Sequence, residues 1–456
     1  MTYKIEIHPQ AASNFNTKAI EILGLVKPVT NTSNKVETAS ASFKPEIYIP
    51  FTIDKSTVVG NTLFKHENYD GSSVIYFHIN DELFCIVDVH RFLNRLLESI
   101  QKIRSISTLI SLKTTETILC DWLKVKYCNP DFLEFTQYFI LESEKRVQEH
   151  ELWLPIQYLH IQKSFDLGKL LFQPITRDML DLLEERSVVK NPQQESMIRQ
   201  LFENKIRPFQ GYAAATLSVT AEEKRASEIL LEETGLSLKM LRIFSPAVLD
   251  PKQICHYEIW GSAHVDCASL MTLQGGDLRN ICITTTGFRP QSDTLDSERI
   301  DVIFAEGLEI LSQLLKKNDK SQFEQDVLDA LTLYSQCTTL KSLSDKLVYI
   351  LVALESLFLR DSSEPIQQNL GERMAFLIGN SVDEKKIIAR SVRQVYTLRS
   401  KFVHHGTLIG ASVDDDDAMR EFMLYAWRAF IETVKLTKTF YQRKDLLDQL
   451  DDRKFS

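Results

Sequence analysis

An arginine, a serine and two histidines stand close together near the end of one segment with an apolar stripe. In the stretch 395–406, Arg399 and Ser400 are followed by His404, His405 and a glycine. An arginine can hold a phosphate through paired N–H bonds that strengthen as negative charge develops on it. A histidine has a pKa near neutrality and can move the proton of an attacking hydroxyl. These residues therefore favour cleavage of RNA through attack of its own 2′-OH, a reaction that proceeds without a metal.

A helix C-terminus offers a second interpretation of the same residues. The helix dipole favours a basic last turn, and Gly406 would end the helix. A solvated basic face also accounts for most of the charge along this segment, which is carried by Lys385, Lys386, Arg390, Arg393, Arg399 and Lys401. A solvated basic face does not explain two histidines in the final turn, because one cation there is enough to compensate the negative end of the helix dipole.

Three successive segments resemble the Apea-like branch of the HEPN superfamily. They are "LVYILVALESLFL", "GERMAFLIG" and "VYTLRSKFVHHG". The hallmark of this family is an arginine followed after four to six residues by a histidine near the end of a helix. Here the R-x4-H spacing runs from Arg399 to His404, and the small polar Ser400 follows the arginine. His405 fits the allowed range as well, so either histidine can be the catalytic one.

The resemblance covers about residues 320–442 and implies a metal-independent endoribonuclease with no cofactor. Arg399 would hold the phosphate, His404 would act as general base or acid, and Ser400 would add a hydrogen bond or orient the histidine. We expect RNA contacts from four further residues, of which the tyrosine could instead pack in the core or on the arginine: Arg393, Tyr396, Lys401 and His405.

Helical spacing also bears on the assembly. Positions five residues apart lie about 140° apart around a regular helix, so Arg399 and His404 do not share one face. Either the last turn distorts, or the site needs a partner. The resemblance implies a homodimer in which two such helices face each other and RNA, with tRNA as a candidate, enters between them. It also implies bacterial antiviral defence by abortive infection, or toxin action, with a phage-derived trigger or a cognate antitoxin.

A catalytically silent HEPN module, acting as an RNA-binding or dimerisation scaffold, is the alternative function. The overall charge does not indicate a polyanion partner for either the nuclease or the scaffold, because the chain of 456 residues has a net charge of -9 and a pI near 5.7. Any nucleic-acid surface must therefore be local. The seven cysteines are scattered without a C-x-x-C pair. With no signal-peptide pattern or membrane-spanning apolar run, we expect a cytoplasmic protein without a membrane partner.

The pattern along the chain predicts an α+β protein in which mixed α/β regions precede an all-α HEPN bundle. We expect a β-rich α+β domain over 1–150, a second α+β domain, a possible sensor, over 151–300, and the nuclease bundle over 301–456. Strands are predicted at 46–53, 74–80 and 82–89, with a hairpin at Asn80 and Asp81. A strand and helix over 211–235 would end at Gly235. The helices of the bundle are predicted at 301–316, 322–335, 342–360, 369–379, 383–405 and 417–442.

One charged residue in the bundle needs a partner. Glu355 lies inside the very apolar helix predicted at 342–360, and a buried carboxylate is costly unless it is paired. Arg373 is the predicted partner, in a structural ion pair or hydrogen bond.

Overall fold

The computed structural model describes residues 4–29, 63–67, 73–87, 89–187, 192–262, 267–274, 277–285, 292–361, 363–405 and 413–454. Within these ranges every strand lies before residue 296 and the remainder of the chain is helical, so the predicted α+β class is confirmed. The predicted strand at 46–53 lies outside the described residues. The chain divides into two compact units, of which the first holds residues 1–150 and 218–229 and the second holds 151–217 and 230–456.

The first unit combines a small antiparallel sheet with helices. Its strands, in the sheet order β1-β4-β3-β2, are β1 Val26–Pro28, β2 Phe64–Glu67, β3 Ser73–Ile79 and β4 Glu82–Ile86. Its helices are α1 Pro9–Leu23, α2 Arg95–Gln101, α3 Arg104–Ser107, α4 Leu112–Cys128 and α5 Phe135–Arg146, and a π-helical turn at His90–Asn94 leads into α2. The predicted hairpin is confirmed: Asn80 and Asp81 have φ of 49° and 62°, as a two-residue turn of type I′ requires.

The second unit begins with strands. These are β5 Gln148–Gln157, β6 Leu159–Ile161, β7 Phe165–Leu167, β8 Leu170–Pro174, β9 Ala213–Ala221, β10 Glu258–Ile259, β11 Cys267–Gln274, β12 Asp277–Thr285 and β13 Asp293–Leu295. The largest sheet has the order β10-β5-β9-β8-β7, while β11 pairs with β12 and β6 runs parallel to β13. Between the strands lie α6 Arg177–Arg186, α7 Pro192–Leu201 and α8 Glu223–Arg242. The first three residues of β5 and residues 218–229, which include the end of β9 and the start of α8, belong to the first unit.

Helices form the rest of the second unit. They are α9 Ser297–Ile303, α10 Glu309–Lys316, α11 Gln322–Gln336, α12 Leu343–Phe358, α13 Ile366–Ile378, α14 Val382–His405, α15 Val413–Leu436 and α16 Arg443–Asp452. Most of the predicted helices of the bundle are therefore present. The one predicted at 301–316 is interrupted between α9 and α10 by a π-helical turn in which Gly307 has φ of 157°.

Two predictions about the middle of the chain differ from the structure. The helix predicted to end at Gly235 continues to Arg242, because tertiary packing of its later turns outweighs the low helix propensity of one glycine. No boundary separates two bodies near residue 300, since one hydrophobic core runs from Ile156 to Leu450. The hydroxyl of Ser312, for example, accepts a hydrogen bond from the backbone N–H of Gly168 at 3.0 Å. Among the described residues, no helix has the length and apolarity needed to cross a bilayer.

Candidate active site at the end of helix α14

Helix α14 is held by an apolar stripe that faces its neighbours. Ile388, Val392, Val395 and Tyr396 are buried, at spacings of three or four residues that place them on one side of the helix. This side packs against α12, α13 and α15. The packing fixes the rotation of α14 about its own axis. It therefore decides which of its polar residues face neighbouring helices and which face solvent.

Arg399 lies at the border between the packed side and solvent. Its side chain is 33% exposed, and its Nη1 lies 3.9 Å from Oε1 of Glu355 on α12. The guanidinium also lies beside the ring of Tyr396, with its central carbon 6.0 Å from the ring centroid. Its Nε is buried and has no hydrogen-bond partner among the described residues. The arginine is thus positioned by charge and by an aromatic ring, while its Nη groups make no hydrogen bond to a described residue.

Glu355 links the arginine to the tyrosine. The Tyr396 hydroxyl donates a hydrogen bond of 2.6 Å to Oε1 of Glu355, the same oxygen that lies nearest to Arg399. Burial and this hydrogen bond to a carboxylate raise the pKa of Tyr396 well above its usual value, so the hydroxyl keeps its proton. A protonated tyrosine can hold the carboxylate in place through this hydrogen bond. Glu355 in turn can orient Arg399.

The predicted RNA contact from Tyr396 is not supported, because the residue is only 4% exposed. Its ring packs in the core beside Arg399, which was the alternative left open by the sequence. Ser400, Lys401 and Arg393 are all exposed. This exposure is compatible with the site roles and RNA contacts predicted for these residues.

The predicted pairing of Glu355 with Arg373 is wrong. Arg373 is 1% exposed, and its guanidinium binds Glu364 and Asp451 instead, with distances between 2.8 and 3.0 Å. Asp451 belongs to α16, 78 residues further along the chain. Glu355 is paired, as predicted, but its side chain is 21% exposed, and the sequence did not indicate which arginine lies beside it. The sequence feature that could have indicated Arg399 as the neighbour of Glu355 was Tyr396, a polar residue on the apolar stripe one turn before Arg399.

A basic stripe runs along the exposed side of α14. We define it by three cations and one hydroxyl residue that are all exposed: Arg390, Arg393, Ser400 and Lys401. The three cations make no ion pair with any described residue. Lys385, also on this helix, packs instead over the ring of Phe376 at 4.6 Å. The stripe is therefore a local concentration of uncompensated positive charge on an acidic protein.

His404 and His405 belong to the last turn of α14, and the structure describes their backbone only. The helix remains regular through His405, so the distortion that could have brought residues 399 and 404 to one face does not occur in the backbone. By helical register, position 404 lies about 20° from Arg393 around the axis, and about 140° from Arg399. Position 404 therefore falls on the side of the basic stripe.

Comparison with known proteins gave no match to a family model, a curated protein or a solved structure. Among the described residues, no group of three or more His, Cys, Asp or Glu side chains is arranged to hold a metal ion. What the site can do therefore follows from its own residues. An arginine oriented by Glu355 can bind a phosphate group, and the basic stripe lies on another side of the same helix.

Proposed function

We propose that this protein is a metal-independent endoribonuclease of the Apea-like HEPN type. One observation carries the proposal: Arg399 is held beside Glu355 and Tyr396, is partly exposed, and lies near the end of the helix that carries the basic stripe. Three unpaired cations along this helix supply a local field for a polyanion on a chain whose net charge is negative. Such a field supports an RNA substrate, with tRNA as one candidate.

In the proposed reaction the RNA supplies its own nucleophile. His404 takes the proton of the 2′-OH as general base, and the oxygen attacks the adjacent phosphorus. Arg399 binds the phosphate and stabilises the charge that develops on its oxygens. The bond to the 5′ oxygen of the next nucleotide breaks, and this oxygen receives a proton from a general acid. The products are a 2′,3′-cyclic phosphate and a free 5′-OH. Ser400 adds a hydrogen bond at the same site.

The proposal includes a homodimer, for a geometrical reason. Because α14 remains a regular helix, positions 399 and 404 of one chain point in directions about 140° apart. Two copies that face each other along this helix would place Arg399 of one copy and His404 of the other on a shared cleft. The basic stripes of both copies would then line the path of the RNA. The α+β part of the chain that precedes the helical bundle would receive the activating signal in antiviral defence or toxin regulation.

The test is RNA cleavage by the purified full chain in EDTA, on total tRNA and on an unstructured RNA. We expect cleavage by the wild type and its loss in Arg399→Ala and His404→Ala. Arg177→Ala, which removes an exposed arginine on α6, serves as the matched control and should cleave normally. His405→Ala decides between the two histidines, since only the variant that lacks the catalytic one should lose all cleavage.

The products and the alternative complete the test. Cyclic phosphate ends, detected by their resistance to direct ligation and by mass spectrometry, are expected from 2′-OH attack. Glu355→Gln keeps a hydrogen-bond acceptor for Tyr396 but loses the charge that faces Arg399, so it should slow cleavage without abolishing RNA binding. A wild-type protein that binds RNA or dimerises, yet never cleaves with candidate triggers present, would favour the silent scaffold instead.

A further inference from the structure

A surface cavity with a volume of about 580 Å³ lies between α11 and α16, apart from the end of α14. Gln322 and Asp326 of α11 form one wall. Arg443, Lys444 and Leu447 of α16 form the other, and Arg360 lies at the border. The volume falls within the range of small-molecule sites and is far larger than a single phosphate needs.

The cations of this cavity differ in how well their charge is compensated. Arg360 is already paired, with Nη2 at 2.6 Å from Asp448 and 3.0 Å from Asp451. Among the described residues Arg443 donates to a single acceptor, the backbone carbonyl of Ser356. Lys444 is exposed and has no ion pair with any described residue. Two positive charges on adjacent residues therefore face the cavity without a carboxylate partner, which favours an anionic ligand.

The opposite wall has hydrogen-bond acceptors. Asp326 accepts a hydrogen bond of 2.8 Å from the side-chain amide of Gln322, and its second carboxylate oxygen remains available. A bare inorganic anion would gain nothing from a carboxylate. A ligand that carries both a phosphate and N–H donors would match both walls. Nucleotides combine these groups in one molecule, with the phosphate at one end and the N–H donors of the base at the other.

We propose that this cavity binds a nucleotide, with its phosphate on Arg443 and Lys444 and its base edge toward Asp326 and Gln322. The shared chemistry is a nucleoside monophosphate, whether it is a free nucleotide or the phosphorylated end of an RNA strand. The proposal goes beyond the proposed cleavage and does not depend on it, because no residue of the cavity takes part in that reaction.

The experiment is isothermal titration calorimetry on the full chain at low salt, with AMP, adenosine, inorganic phosphate and a 5′-phosphorylated decaribonucleotide as separate ligands. We expect saturable binding of AMP at one site per chain, and much weaker binding of adenosine and of phosphate. Lys444→Ala should weaken AMP binding by about tenfold, because it removes one charge-assisted contact. Lys438→Ala, an exposed lysine outside the cavity, is the matched control and should bind AMP like the wild type.

The remaining arms identify the source of the ligand. Binding of the decamer, lost in Lys444→Ala, with weak binding of AMP would assign the site to the end of an RNA strand. Phosphate that binds as tightly as AMP would overturn nucleotide recognition, and so would equal AMP affinities for Lys444→Ala and Lys438→Ala. The His404→Ala variant should keep AMP binding. A failure of the cleavage proposal and a failure of this one are therefore distinguishable.

Discussion

Replacing Glu364 by glutamine should destabilise the helical bundle, because Glu364 is one of two carboxylates that pair with the buried Arg373. Glu364 and Asp451 together accept four hydrogen bonds from the buried guanidinium of Arg373, whose fifth donor binds the carbonyl of Phe358 at 2.6 Å. All five N–H donors of the arginine are thus satisfied. The glutamine variant keeps the shape of the side chain but leaves the buried cation with only one carboxylate partner.

The size of the effect follows from the pKa of Glu364. Its hydrogen bond to Arg373 lowers this pKa from 4.5 to about 2, although partial burial acts in the opposite direction. Each pKa unit corresponds to about 1.4 kcal/mol, so the carboxylate contributes about 3 kcal/mol to the free energy of unfolding at pH 7. Because the folded-state pKa is the lower one, this contribution is complete above the unfolded value and is lost as the pH falls from about 4.5 towards 2. At pH 3.5 about 2 kcal/mol should remain.

The measurement is urea unfolding at pH 7 and at pH 3.5, read by pulsed hydrogen exchange in peptides from α13 and α16. These peptides report the second unit separately from the first, which matters because two units need not unfold together. Glu372→Gln is the matched control on α13, since its carboxylate is 30% exposed and pairs with Lys454 at the surface. It should cost below about 1 kcal/mol. An equal loss in both variants, or a loss for Glu364→Gln that does not shrink at pH 3.5, would refute the reasoning.

Three further predictions concern single residues elsewhere in the second unit. The ammonium of Lys346 is buried and donates to two carbonyls in the segment 251–253, and burial lowers its pKa below the usual 10.5. The unfolded chain therefore binds more protons just below pH 10.5, so wild-type stability should rise with pH in that window, and urea midpoints of Lys346→Met should not show this rise. Gly168 has φ of 62°, and an added Cβ would lie 3.0 Å from Cβ of Leu315, so Gly168→Ala should lower the free energy of unfolding by about 1–2 kcal/mol. Thermal melts should show Gly235→Ala shifting in the opposite direction, because this glycine lies within α8 with no atom within 4 Å of an added Cβ.

The bundle was predictable because each of its helices buries a stripe with a period of 3.6 residues. The helix predicted at 383–405 is α14, Val382–His405, and the one predicted at 322–335 is α11, Gln322–Gln336. A local pattern determines such elements, so the sequence around them is sufficient. The interruption at Gly307 was not predictable in this way. The apolar stripe continues on both sides of it, and only the backbone geometry reveals the turn.

Partners of buried charges were less predictable, because they depend on contacts far apart in sequence. The sequence indicated correctly that Glu355 and Arg373 are charges inside an apolar bundle, and it paired them with each other. In the structure Arg373 donates a hydrogen bond to Asp451 on α16, and Glu355 accepts a hydrogen bond from Tyr396 on α14. From the sequence alone, two acids that belong to different elements are equally plausible partners of the same arginine. Only the packing of α16 against α13 decides which of them lies within hydrogen-bond distance.

The last turn of α12 connects these separate observations. Glu355 faces Arg399, while the carbonyls of the next residues are held from the other side: Ser356 by Arg443 of the cavity, and Phe358 by Arg373 of the buried ion cluster. A shift of this turn would therefore change the position of Arg399 in the proposed active site, because Glu355 orients this arginine. A ligand that draws Arg443 into the cavity competes with the carbonyl of Ser356 for the same guanidinium. If the proposed cleavage is correct, nucleotide binding should change its rate, and it should do so without any contact between the nucleotide and the RNA.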